Sequence, residues 1–312
     1  MKVWRAMAAT VGVTLTLSVP LPARGEEESP EETSSPEEHG EKATAEDLAA
    51  SPEEGAFIPD LVLARMVENP VTGITRVPVV NATAFGVPPN NRVGNAFVLA
   101  PILPALFRGG WSIVTRTVIP VVVTVPVGTN RQTGFGDITS EVVGHKLLKG
   151  RKDQFYDVSF GSFVGFPSAS DDFLGTGRWR LGPELILGIS ARRWVTVLAV
   201  RNEWSVGSNG TRADVNTLVL DYLLFYNLPK LFYLVYEPII TADWEAKRGD
   251  RWTLPVGIGV GRHHRLPKRS RLAITTRLSG LYNAVRTDRD PKWQLLFTLV
   301  FWNPNPAAFD IE

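Results

Sequence analysis

The chain has 312 residues, no cysteine, a formal net charge of +1 and a mean hydropathy near zero. The missing cysteines exclude a disulfide framework and any thiolate metal site. The near-zero net charge hides a split. Residues 26–55 carry 12 acidic side chains against one lysine, whereas residues 56–312 carry 29 basic and 20 acidic ones.

In chain order, residues 1–25 have the layout of a cleaved secretory signal. Lys2 and Arg5 form a basic start, the apolar stretch Ala6 to Pro22 is broken by Pro20 and Pro22, and Ala23-Arg24-Gly25 precedes Glu26. Residues 26–56 form an acidic tail with too few apolar groups to offset its ordering entropy, so disorder is expected. Residues 57–76 are a lead-in: Ile58 to Asn69 has helical character, stops at Pro70 and reads as a short helix or plug. No other apolar run is long enough for a spanning helix, since Pro120 and Pro126 interrupt Val118 to Val127.

From residue 77 the chain reads as strands, over 77–87, 95–103, 111–125, 136–147, 154–166, 177–189, 194–206, 214–227, 231–244, 251–264, 270–285 and 292–302. That is about twelve, an even number, each near the length that crosses a bilayer at a tilt. In the last, Trp293, Leu295, Phe297, Leu299 and Phe301 share one face, and the two preceding segments alternate in the same way. A soluble sandwich buries such a face; a membrane barrel turns it to lipid and its polar face to the lumen. The export signal and the connections favour the barrel, because alternate connections are long and short as up-and-down strands require. The expected fold is therefore an all-β, transmembrane, antiparallel up-and-down barrel over residues 77–302, with a C-terminal tail at 303–312.

If so, charges opposite the bulky residues must line the lumen, because charge facing lipid is expensive. The candidates are Asp137, Glu141, Arg178, Arg180, Glu184, Asp221, Glu237, Asp243, Arg251 and Arg277. Arg116 joins them, although the phase of its strand is ambiguous. Such groups either pair with one another in a narrow, partly filled lumen or form a polar path that selects solutes. Trp111, Trp179, Trp194, Trp204, Trp244, Trp252, Trp293 and Trp302 fall near strand ends, where an aromatic girdle sits. Basic residues gather in the short turns, among them Lys149, Arg151, Lys152, Arg192, Arg193, Lys230, Arg265, Lys268 and Arg269. Anionic phospholipid headgroups and the acidic tail compete as their partners.

Several ordered stretches carry a family resemblance. They are Asn69-Pro-Val71, Trp111 to Pro120, Gly134-Phe-Gly-Asp-Ile138, Phe166 to Glu184, Asn202-Glu-Trp-Ser-Val206, Asp214-Val-Asn216, Asp243-Trp-Glu245 with Trp252-Thr-Leu-Pro255, and Pro291-Lys-Trp293. Together they resemble the bacterial outer-membrane barrel family named for the meta-pathway of phenol degradation and also labelled neuromedin U-like. The resemblance implies a channel or transporter in the outer membrane, near aromatic catabolism in some members. Its partners would be outer-membrane lipids, lipopolysaccharide and the barrel assembly machinery. The long acidic tail and the residues after the closing strand depart from the pattern.

Catalysis is tested by the histidines, because outer-membrane barrels include a phospholipase with a Ser/His arrangement. His263 and His264 are adjacent and point to opposite faces, and His145 has no Ser/His/Asn signature around it in sequence. All read as surface or rim residues, as does His39 in the tail. Asp171-Asp172 with Gly175 and Gly177 supplies too few ligands for a calcium loop and reads as a solvated outward loop. No catalytic site, metal, cofactor or nucleic-acid partner is expected. The expected function is passive passage of small solutes, which the resemblance alone suggests are hydrophobic or aromatic compounds, with a structural or envelope-interaction barrel of closed lumen as the alternative and a barrel lipase third.

Overall fold

The period-two segments fold as antiparallel strands that close on themselves. The computed structural model describes residues 60–303, apart from 89, 128, 152–153, 208–211 and 265–271. The signal reading at 1–25, the acidic tail and the C-terminal tail lie outside the described residues. The strands are β1 (Arg76–Val87), β2 (Arg92–Leu99), β3 (Ile102–Phe107), β4 (Trp111–Val127), β5 (Asn130–Gly134), β6 (Thr139–Lys149), β7 (Gln154–Gly165) and β8 (Trp179–Ala191). They continue as β9 (Trp194–Val206), β10 (Asn216–Asn227), β11 (Phe232–Tyr236), β12 (Ile239–Asp243), β13 (Trp252–His264), β14 (Ala273–Val285) and β15 (Trp293–Trp302).

These make twelve passes of one closed antiparallel barrel. β2 with β3, β5 with β6, and β11 with β12 are single passes interrupted once each. Two interruptions fall at Pro101 and Pro238, where the ladder loses a donor. The barrel closes by pairing β1 with β15, Arg76 opposite Trp302 through Phe85 opposite Trp293. Both chain ends of the barrel therefore lie at one end, with the short turns at 108–110, 192–193 and 228–231; the longer connections, such as 166–178, lie at the other. We call these the entry end and the loop end.

The outer face is apolar around the barrel. Phe160 is 67% exposed, Ile258 61% and Phe297 49%, and seven of the eight tryptophans near strand ends are also exposed. Trp302 is the exception. It is buried inside, where its indole N–H donates to Thr275, so it does not belong to a girdle.

Between β11–β12 and β13 the ladder is open. Val235 pairs Gly259 and Thr241 pairs Thr253, in one unbroken register, yet no pairing joins 236–240 to 254–258. That register sets Pro238 opposite Val256 and Ile239 opposite Pro255. Pro255 removes a donor from the seam, whereas Pro238 is turned to β10, where its carbonyl accepts from the Tyr222 amide.

On the inner face of β13, Gly257, Gly259 and Gly261 leave room for larger neighbours. A Cβ on Gly261 would lie 2.2 Å from the ring of Tyr233, which is stacked on His263 and set edge-on to Phe225. We expect Gly261→Ala to destabilise the barrel by about 1–3 kcal/mol through overpacking, read as a lower urea midpoint by gel mobility. Gly249→Ala, in open space, leaves the midpoint unchanged.

Candidate functional site: the barrel lumen

The lumen is built in two layers. At the entry end sits α1 (Asp60–Glu68), which precedes the first strand. Ala64 through Asn69 are consecutive and all buried. A helix covered on successive residues is covered all round, and only enclosure by the barrel does that. The helix stops because Pro70 follows Asn69 and disfavours the helical conformation there. Arg76 of β1 then reaches back and donates to the carbonyls of Val67 and Asn69, satisfying acceptors the helix end leaves free.

Apolar packing holds this segment. Val62, Met66, Val67 and Ile74 pack with Ala273, Val300 and Trp302. Val71 lies among Val114, Val143, Val195, Phe225 and Val235, which come from five different passes of the wall. The inner wall at this level is thus apolar, where the sequence reading placed polar residues, because it faces a plug and not water. Polar groups add the register. Arg65 Nε donates to the carbonyl of Arg192 at 2.6 Å, and Asn227 Nδ2 donates to Glu68 Oε2 at 2.8 Å. Glu68 Oε1 lies 3.2 Å from His263 Nε2, whose Nδ1 lies 2.8 Å from Thr275 Oγ1.

Two histidines read as surface or rim groups are therefore interior. His145 Nδ1 lies 2.9 Å from Ser112 Oγ, its Nε2 lies 2.9 Å from Asp157 Oδ1, and Asn69 donates to the other Asp157 oxygen at 2.7 Å. The row was invisible along the sequence because Ser112 is the cross-strand partner of His145 on β4 and Asp157 comes from β7. It has the membership of a hydrolytic triad, but Ser112 is 5% exposed and none of the three lines the main cavity. What it does is fasten Asn69 of the plug segment to the wall. His264 is half-buried, beside Thr276.

Above the plug, charges cross the lumen. Arg201 reaches Glu203 at 2.9 Å, Glu141 at 3.4 Å and Glu184 at 3.5 Å. Arg180 meets Glu203 at 2.5 Å, and both guanidinium groups lie over the ring of Phe163. Arg116 joins Glu141 at 3.4 Å and Asp221 at 3.5 Å, which settles its inward phase. The Arg116–Asp221 pair spans from the third pass to the eighth, so it is a strut across the bore. Arg277 holds Glu237 at 2.9 Å, and Ser279 donates to the same carboxylate at 2.5 Å. Arg201 and Glu203 escaped the sequence reading because β9 is apolar on both faces, which hides its phase.

The remaining candidates sit at the loop end. Asp137 accepts from the backbone and hydroxyl of Thr176 and from the Ala169 amide, folding the 166–178 connection inward. Arg178 donates to the carbonyls of Gly207 and Arg212 and to Asp214. Asp243 pairs with Arg289 at 3.4 Å, while Arg251 donates to the Ala246 carbonyl. Asp171 accepts from Gln132, and Asp172 pairs with Arg212, so both tie the loop together. Among the described residues no cluster has the ligands to hold a metal ion.

A cavity of about 160 Å³ separates plug from struts. Its walls are mostly apolar, including Val80, Val98, Leu223, Phe225 and Leu296, and Arg76, Arg116, Glu237 and Arg277 face it. Two spaces of about 30 Å³ lie among and beside the struts.

No protein-family model and no curated relative matches the chain. Among solved structures, the chain is similar to an outer membrane channel from Pseudomonas putida F1, at 13% identity and a TM-score of 0.54, covering 74% of this chain and 95% of that one. It is also similar to the NanC porin, at 14% identity and TM-score 0.46 over 73% and 98%. Outer membrane phospholipase A from Escherichia coli follows at 12% identity and TM-score 0.40 over 80% and 100%. The fold is therefore that of outer-membrane barrels, on a chain whose bore is filled from both its own wall and its own leading segment.

Proposed function

We propose that this chain is an outer-membrane channel that passes small apolar or aromatic solutes passively, and that it belongs to the barrel family of the meta-pathway of phenol degradation. One observation carries the reading: the lumen is blocked by a segment that is not part of the wall. A barrel needing only a filled core can fill it from its own wall, as the struts already do at mid-barrel. Residues 1–25 would direct export, the barrel assembly machinery would insert the chain, and the basic turns of the entry end would face anionic headgroups.

The solute class rests on the cavity and the seam. Apolar walls and a volume close to that of engineered cavities that bind benzene suit a single-ring or short aliphatic body. Glu237, within the unpaired stretch of wall, lines that cavity, so the cavity abuts the seam there. An apolar solute leaving there would enter lipid without crossing the charged struts.

The test uses the cysteine-free background. A disulfide across Pro238→Cys and Val256→Cys should slow transfer of an apolar fluorescent probe into the bilayer several-fold, and reduction should restore it. A disulfide across Leu234→Cys and Val260→Cys, where the ladder is intact, should change nothing. Equal transfer in locked and unlocked protein would remove the lateral exit. The second reading, a structural barrel with a sealed lumen, is favoured by the Arg116–Asp221 strut. Liposome swelling with no size-dependent flux, with and without the plug, would establish it.

A further inference from the structure

We propose that docking of the plug is proton-linked, with one proton shared between Glu68 and His263 as the latch. The proposal rests on the channel reading for its consequence, but not for its test.

Glu68 is the carboxylate that the plug helix carries into the barrel. It is 5% exposed, and among the described residues its two oxygens meet Asn227 and His263. Burial pushes its carboxyl up from the ordinary value, while the bonds to His263 and Asn227 and the charge of Arg277 pull the other way. His263 is 2% exposed and enclosed by Thr275, by the stacked ring of Tyr233 at 4.8 Å, and by Glu68.

Among the described residues, no cation other than His263 forms an ion pair with Glu68. Arg277 of β14 is taken by Glu237, and Arg116 of β4 by Glu141 and Asp221. Arg76 of β1 faces the same cavity, but its terminal nitrogens bond the Val67 and Asn69 carbonyls and Thr72 and not Glu68. Tyr233 is the remaining ionisable group in contact. A bare carboxylate here would be a buried charge with no guanidinium bonded to it, which is strongly unfavourable. One proton on the pair removes that cost, whichever partner carries it.

Withdrawal of the plug wets both groups and separates them. A solvated carboxyl releases its proton near pH 4.3 and a solvated imidazole near pH 6.5. Above about pH 6.5 the undocked pair holds no proton and the docked pair holds one, so docking takes up a proton and weakens as pH rises. Below about pH 4.3 the undocked pair holds two, so docking releases one and weakens as pH falls. The plug is therefore held best between those limits, and alkaline conditions open it.

Spin labels on Leu61→Cys and Arg193→Cys, in the otherwise cysteine-free chain, would report docking by pulsed electron paramagnetic resonance. The docked fraction should be greatest between about pH 4.3 and 6.5, with the docked-to-undocked ratio falling up to about tenfold per pH unit above. Glu68→Gln with His263→Gln should flatten the profile. His145→Gln, which touches the other carboxylate row, should keep it. A flat profile in the parent protein, or an unchanged one in the double variant, overturns the proposal. Heat-modifiable gel mobility checks that each variant forms the barrel. Because distances are read without solute flow, a protein that conducts nothing still answers the question, and absent conductance counts only against the channel.

Discussion

A chain lacking residues 60–74 should conduct ions and pass small solutes at least about tenfold faster than the intact protein, as expected when an occluding segment leaves a pore. The wall does not depend on that segment for closure. β1 begins at Arg76 and meets β15 in ten consecutive pairs, so the truncated chain still closes. What it loses is the packing of Val62, Met66, Val67, Val71 and Ile74, each worth about 1.5–3 kcal/mol as an upper bound when fully buried. A lower unfolding midpoint should therefore accompany the higher flux, with heat-modifiable mobility retained. The ring of Val114, Val143, Val195, Phe225 and Val235 then lines an open, apolar bore. Removing only residues 26–56 leaves each of the contacts named above in place, and mean conductance should not change. Planar-bilayer recordings decide both. If the larger deletion leaves conductance at the intact level, the barrier lies at the Arg116–Asp221 strut and the plug is not the gate.

Strand count and face were legible because lipid and lumen impose opposite demands on alternate residues. β15 shows it most clearly: Trp293, Leu295 and Phe297 are exposed, while Leu296 and Thr298 are buried. The signal fails where the lumen stops being watery. On β9, Val195, Val197 and Ala199 face the plug while Leu198 and Val200 face outward, so period two carries no polarity and Arg201 and Glu203 lose their phase. The prolines also misled. Residues 231–244 read as one strand, yet it is interrupted at Pro238, and Pro255 opposite takes a donor from the seam where the ladder is open. The histidines were misplaced for a related reason. Their partners, Ser112 across a strand pair and Glu68 on a helix 195 positions away, are matters of topology.

Arg201→Ala should be the most damaging single change in the wall, costing about 3–5 kcal/mol, the range for removing one partner of a buried ion pair. Arg201 is 7% exposed and is shared by Glu141, Glu184 and Glu203, which are each 5% exposed or less. Its removal leaves Glu184 without a cation within salt-bridge reach, and leaves Glu141 and Glu203 with Arg116 and Arg180 alone. Phe163 also loses one of its two stacked guanidinium groups. Arg201→Lys keeps the charge but cannot span three carboxylates with one ammonium, so its loss should be intermediate. Arg201→Ala combined with Glu184→Gln should recover part of the stability, because the amide removes the worst of the stranded charges. Urea midpoints in vesicles, followed by gel mobility, give the order. Equal midpoints for Arg201→Ala and the parent would mean that water enters the struts and screens them, in which case the mid-barrel is a wet passage and the charges there act on solutes more than on the fold.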